Sequence, residues 1–318
     1  MRIVVLDGHA LNPGDNPWTD LEAFGDLTVH DRVAEDEIVD RAAGAAIVLT
    51  NKTPLTGPTL ARLPELRFVS VLATGYNVVD VQAARARGIP VSNVPVYGTD
   101  SVAQFVFALL LEHCHHVALH DQQVHAGRWA ACKDFCFWST PLVELAGKTM
   151  GVVGFGRIGR RVGELAHAFG MAVWAHDAAP GEAPPYGPFA WKGLDELFAG
   201  ADVVSLHCPQ TPDNAGMVDA RLLGLMKPGA FLINTARGGL VNEADLAAAL
   251  NDGRIAGAAV DVVSTEPIRP DNPLLGARNC LVTPHIAWAS LAARRRLMRT
   301  TVENVRAFIT GRPINVVN

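Results

Sequence analysis

The stretch Thr149-Met150-Gly151-Val152-Val153 is apolar and runs directly into Gly154-Phe155-Gly156-Arg157-Ile158-Gly159, three glycines at the spacing G-x-G-x-x-G. Val162, Leu165, Ala166 and Phe169 follow at helical spacing. The pattern predicts a buried strand, a tight glycine turn and an amphipathic helix. Such a turn lets the backbone approach a pyrophosphate, and the free N–H groups and positive dipole end of the helix then hold the phosphates. The spacing alone is a weak signal; between a strand and a helix it is much stronger. Ala172 to His176 reads as the next strand and ends in Asp177, 23 residues after Gly154 and 18 after Gly159. A dinucleotide fold places there the carboxylate that binds the adenosine ribose hydroxyls. That charge repels a 2′-phosphate, and Ala178, Ala179 and Pro180 supply no cation to receive one. NAD(H) is therefore expected rather than NADP(H).

A length of 318 residues accommodates about two domains, each with its own core. Hydrophobic residues make up 49% and the net charge is −5, which argues for a packed globular chain and against a nucleic-acid partner. The one basic run, Arg294-Arg295-Arg296, reads as a solvated helix face. Met1 to Asp7 is too short for a signal sequence and reads as a strand. The apolar region Val102–Leu111 falls short of the ~18 residues that suggest a membrane span. A cytoplasmic protein with no membrane partner is expected. Its five cysteines, with Cys132 and Cys136 the one close pair, fit reduced thiols better than a disulfide framework.

In the first hundred residues, strands are expected at Ile3–Leu6, Ala46–Thr50, Phe68–Leu72 and Pro90–Asn93, with helices between them. Asp100 or Ser101 is expected to cap one long helix from about Val102 to Gly127. The aromatic stretch Trp129 to Pro141 has no periodicity and reads as a loop. A second alternating unit begins at Thr149, with strands at Met150–Val153, Ala172–Ala175, Val203–Leu206, Phe231–Asn234, Gly257–Val260 and Cys280–Val282. Asn242 with Asp245 is expected to open a helix as a capping box. A last helix runs from about Leu291 to Thr310. Two α/β halves imply a cleft between domains.

Three further segments each follow an apolar strand pattern. They carry Arg237, Glu266 and His285. Open parallel sheets bind ligands outside the carboxyl ends of their strands, so these residues are expected to converge there. The set suits reduction of a 2-keto acid. Arg offers a planar fork for the carboxylate. His exchanges protons near neutral pH, and a neighbouring carboxylate orients its ring and favours its charged form.

The chain resembles the D-isomer-specific 2-hydroxyacid dehydrogenases, in the branch of glycerate dehydrogenases (hydroxypyruvate reductases). The resemblance covers nearly the whole chain. It rests on Ala73-Thr74-Gly75-Tyr76-Asn77, Val94 to Ala103, Glu144 to Thr149, the glycine turn, His207 to Thr211 and the three segments just named. The resemblance implies two Rossmann-like or flavodoxin-like, doubly wound parallel-sheet α/β domains. Residues 1–100 with 290–318 would form the substrate domain, and 101–289 an inserted NAD-binding Rossmann domain. It implies that Arg237 binds the substrate carboxylate, that His285 is the general acid/base, and that Glu266 hydrogen-bonds to it. Thr74 and Gly75 would hold the carboxylate through backbone groups, and Asp261 would meet the nicotinamide amide. Cys208, Pro209, Thr235, Ala236 and Ala287 would line the cofactor side with Gly154 to Gly159 and Asp177. A homodimer is implied, joined through the inserted domain, with Trp138 reaching the partner's site.

Glu266 argues against formate dehydrogenases of this family, which carry Gln there. The cluster His113, His115, His116, His120 and His125 reads as helix surface rather than a metal site, although His116 and His120 would share a face. Two other readings stand beside the leading one of hydroxypyruvate, and also glyoxylate, reduction. One is a dehydrogenase of phosphoglycerate or another 2-hydroxy acid. The other is an NADH-sensing corepressor-type scaffold.

Overall fold

The computed structural model describes Met1–Asn318 and divides into two compact units, Met1–Gly98 with Trp288–Asn318, and Thr99–Ala287. In the first unit the strands are β1 (Arg2–Val5), β2 (Asp26–Val29), β3 (Ile47–Thr50), β4 (Phe68–Val71) and β5 (Val91–Ser92). They pair in parallel in the order β2-β1-β3-β4-β5. Side chains alternate between the sheet faces, as the two-residue period of a strand requires. Val4, Val48 and Val69 pack into one core, while Ile3, Ile47, Leu49 and Phe68 enter the other, which Leu297 and Val305 of the helix Leu291–Ile309 also fill.

That helix corrects the reading of Arg294. It is buried, not solvated. Its guanidinium donates to Asp15 and to the carbonyls of Leu11 and Ala289, which satisfies the fork and ties the loop after β1 to the helix.

The second unit holds β6 (Thr149–Val153), β7 (Ala172–His176), β8 (Phe189–Trp191), β9 (Val203–Leu206), β10 (Phe231–Asn234), β11 (Gly257–Val260) and β12 (Cys280–Val282). All pair in parallel in the order β12-β11-β10-β9-β6-β7-β8. The direction of winding reverses between β6 and β9, and such switch points are where doubly wound sheets bind ligands. Both faces are covered by apolar clusters, so β9, β10 and β11 are buried throughout.

The single helix expected through Gly127 is instead two, Thr99–His115 and Val117–His125, bent by 53°. His116 between them is left-handed, with φ 45°. The Cys114 carbonyl is taken by the Val143 amide at 3.1 Å, and this tertiary bond coincides with the end of the first helix. The expected capping box at Asn242 is half made. Its side chain accepts from the Asp245 amide, but the Asp245 carboxylate accepts from the Ala220 amide instead of reaching back.

Candidate active site

The three glycines after β6 are required for three different reasons. Gly154 has φ 92°, and a Cβ there would lie 2.4 Å from the Cys208 amide nitrogen in the loop after β9. The two loops at the switch point thus touch backbone to backbone. A Cβ on Gly159 would lie 2.1 Å from the Gly154 carbonyl oxygen, so this glycine lets the helix Arg157–Ala168 close onto the turn. A Cβ on Gly156 would meet nothing within 4 Å. Protein packing does not demand a glycine at Gly156; the open space in front of it suits a ligand backed by bare main chain.

The first intrahelical bond is Arg160 N–H to the Gly156 carbonyl, so the amides of Arg157, Ile158 and Gly159 have no acceptor within the helix, and no side chain caps them. Phe155 turns its ring inward against Phe189 and Trp191, leaving its backbone to the turn. Its amide donates to Asp177 Oδ2 at 2.7 Å, and the Ala179 amide donates to Oδ1 at 3.0 Å. The carboxylate is therefore held at the edge of the glycine turn. Further along the sheet, the buried Oγ1 of Thr235 has no protein partner. Free helix amides, an open cradle and an orphaned hydroxyl fit a dinucleotide. Cys208 shows no sign of activation, since burial raises its thiol pKa. The Pro209 carbonyl accepts from Asn214 Nδ2 at 2.8 Å.

Arg237, Glu266 and His285 lie on the loops that leave β10, β11 and β12, three neighbouring strands. The buried Asn234 shapes the first loop. Its Oδ1 accepts from the Ala236 amide at 3.0 Å, and its Nδ2 donates to the Arg237 carbonyl at 2.9 Å. Arg237 is exposed and donates to the Ala236 carbonyl. In the second and third loops, His285 Nδ1 and Glu266 Oε2 stand 2.7 Å apart. With Nδ1 turned to the carboxylate, Nε2 is the nitrogen left for a reacting oxygen.

His285 itself is left-handed, with φ 55°. Asp261, 1% exposed, over-determines that conformation. Its Oδ1 accepts from Thr283 Oγ1 and the Ile286 amide, its Oδ2 from the Ala287 amide, and its carbonyl from the His285 amide. Both carboxylate oxygens thus serve the loop that presents the histidine, a use that the strand-end acid did not reveal in sequence. Asn234 was missed for a similar reason: an Asn closing an apolar strand is the signal, but its two local bonds are visible only in the folded loop.

The remaining sequence candidates lie on other segments of the chain. Thr74 and Gly75 follow β4 in the five-stranded unit. There Thr74 Oγ1 donates to the Val94 carbonyl and the Thr74 carbonyl accepts from Asn93 Nδ2. Trp138 lies beyond the helix Val117–His125 and is 64% exposed. The rings of His113 and His116 meet edge-on, with 6.2 Å between centroids. His120 uses both ring nitrogens, one at the His116 carbonyl and one accepting from the Ser139 amide, and His113 stacks on Phe231.

Residues 107–287 match the family described as D-isomer specific 2-hydroxyacid dehydrogenase, NAD binding domain. This chain belongs to that family. A hydroxypyruvate reductase of Blautia hydrogenotrophica is 52% identical over 321 residues, covering 100% of both chains. A glycerate dehydrogenase of Methylorubrum extorquens is 42% identical over 284 residues, 89% of this chain and 88% of that one. Among solved structures, an NADPH-dependent glyoxylate/hydroxypyruvate reductase of Sinorhizobium meliloti superposes with a TM-score of 0.83 at 31% identity, covering 99% of this chain and 96% of the other. Both all-parallel sheets described above agree with the architecture expected from sequence.

Proposed function

We propose that this dehydrogenase reduces hydroxypyruvate to D-glycerate with NADH, and accepts glyoxylate as a smaller substrate. The observation that carries the reading is the 2.7 Å contact between His285 and Glu266, one strand away from the loop of Arg237 and in the same unit as the glycine turn. The names of the two relatives support the choice of substrate.

NADH, when bound, supplies the hydride for the keto carbon. Arg237 anchors the carboxylate through its guanidinium fork and draws charge toward the keto oxygen. His285 Nε2 delivers the proton to that oxygen, and in the reverse direction removes it from the hydroxyl. Glu266 holds His285 Nδ1 and fixes the ring plane, which aims Nε2 at the reacting oxygen. Asp261 acts on the cofactor side through the Thr283–Ala287 loop. Thr74, Gly75 and Trp138 belong to the same proposal as substrate contacts.

The Asp177 carboxylate supports NADH over NADPH, in contrast to the Sinorhizobium structure, whose description names NADPH. Five unpaired cysteines support a cytoplasmic setting. The exposed Val117, Trp129, Phe135, Trp138 and Leu142 support a homodimer through this part of the unit.

The test follows the NADH absorbance with purified protein and hydroxypyruvate, glyoxylate, pyruvate and 3-phosphohydroxypyruvate in parallel, each also with NADPH. Fastest turnover of hydroxypyruvate with NADH is the expected result. Preference for another acid would keep the chemistry and move the substrate. Silence across the panel would overturn the enzyme reading in favour of an NADH-sensing scaffold.

A further inference from the structure

Glu266 rides on the loop that leaves β11, which is anchored from outside itself. Its own Oε1 reaches the Val263 amide at 3.4 Å, a long contact. A second carboxylate supplies the anchor. Glu243 opens the helix Glu243–Asn251, where the preceding Asn242 already provides the cap. The Glu243 side chain is thus free to turn toward the neighbouring loop. Its Oε1 accepts from the Ser264 amide at 2.6 Å, and its Oε2 accepts from Ser264 Oγ and Asn272 Nδ2, each at 2.9 Å. Asn272 is fixed in that orientation, because its Oδ1 accepts from the Leu274 amide.

Ser264 and Asn272 bracket the segment that contains Glu266. One carboxylate therefore pins the loop at both ends with three hydrogen bonds, two of them from side chains. A second observation points the same way. A Cβ on Gly238 would lie 1.9 Å from the Val263 carbonyl carbon and 2.5 Å from the Ser264 nitrogen. The backbone directly after Arg237 is thus pressed against Val263 and Ser264, the second of which Glu243 holds. The β10 loop, the helix Glu243–Asn251 and the β11 loop form one rigid junction.

We infer that Glu243 is a positioning residue for the acid–base pair: by clamping Ser264 and Asn272 it sets Glu266 against His285 and fixes that pair relative to Arg237. The inference rests on the roles proposed above for Glu266 and His285. A Glu243 that served only to stabilise the fold would lower thermal stability while leaving the ring hydrogen bond and the kcat of the folded fraction unchanged.

The experiment uses Glu243→Ala, Glu266→Gln and the double variant in the full chain. The first readout is the ring Nδ1 proton resonance of His285 by NMR, assigned by its loss in His285→Asn and recorded without any substrate. The second is kcat for hydroxypyruvate beside the Kd for NADH. Glu243→Ala is expected to broaden or abolish the resonance and to lower kcat roughly 10- to 100-fold, the scale of a misplaced catalytic group. The Kd for NADH should stay within about twofold, and adding Glu243→Ala to Glu266→Gln should cost less than about twofold more, as expected of residues acting through one another. An unchanged resonance, or full additivity with Glu266→Gln, would overturn the inference. Should Glu243→Ala fail to fold, Ser264→Ala removes one bond of the clamp and is expected to show the same pattern at roughly threefold; no change in either readout would overturn it equally. A wild type that ignores hydroxypyruvate would refute the proposed substrate, while the resonance would still decide the clamp.

Discussion

The glycine turn after β6 and the aromatic segment after the helix Val117–His125 are both short, but the first reads as a binding element in the sequence and the second as a loop. They are built in opposite ways. In the turn, backbone contacts at 2.4 and 2.1 Å from a would-be Cβ leave glycine as the residue that fits at Gly154 and Gly159. In the aromatic segment the backbone is held by polar side chains. Arg128 donates to Gln123 and Ser139 and lies over the Phe137 ring, while Trp129 Nε1 donates to the Phe135 carbonyl. The apolar groups point outward, with Phe135 90% exposed. Where sterics dictate residue type, a sequence announces its function. Where a polar scaffold displays apolar side chains, many sequences would serve, and the sequence stays ambiguous.

The largest effect should fall on the strand-end groups. His285→Ala is expected to lower kcat about 10³-fold while NADH still binds, as fluorescence titration of the cofactor would register. Undiminished turnover would remove the histidine from the chemistry. The turn itself can be divided. Gly159→Ala should destabilise the unit by roughly 2–4 kcal/mol, because backbone must move, and lower the melting temperature accordingly. Gly156→Ala should leave melting unchanged and weaken NADH binding roughly tenfold, since its Cβ enters open space. Equal melting losses in both would erase the distinction between packing glycine and ligand glycine.

In the aromatic segment, Trp138→Ala should leave folding intact and raise the KM for hydroxypyruvate a few-fold, roughly 1 kcal/mol of lost contact. A shift in sedimentation mass with no change in KM would make the segment an assembly surface alone. The smallest effect concerns pH. Burial pushes His113, stacked on Phe231, down to about 4. The unfolded chain then binds the proton more readily than the folded one, so this contribution to stability is intact above about pH 6.5 and is lost as pH falls toward 4. The slope is at most about 1.4 kcal/mol per pH unit, reduced by partial exposure. His113→Phe should flatten that part of the stability curve in denaturant titrations at pH values across this range.

Much of the fold was legible because fully buried parallel strands are near-continuous apolar runs, as in β3, β4, β9, β10 and β11. The two strands that escaped notice, β2 and β8, are sheet edges with mixed burial, and their sequences lack that signature. The break at His116 was hidden because the Val143 amide that binds the Cys114 carbonyl lies far along the chain. Arg294 misled for the same reason: its partner Asp15 is remote in sequence. At the candidate site, the residues proposed to touch substrate were readable, since hydride and proton transfer restrict their types. Asn234, Asp261 and Glu243 were not readable in their structural roles, because each acts through bonds to loops whose shapes are known only once folded.

The order of strands in the larger sheet also works as a ruler. Neighbouring strands are about 4.8 Å apart, so β6 lies about 10 Å from β10 and about 19 Å from β12 across the sheet. Positions along this edge come in whole steps of one strand. The β10–β12 side is not chemically separate from the turn on β6, because Thr235, Ala236, Asp261 and Ala287 there belong to the proposed cofactor contacts. A designer seeking a different substrate would thus keep those four residues in place and vary the positions beside them on the same loops.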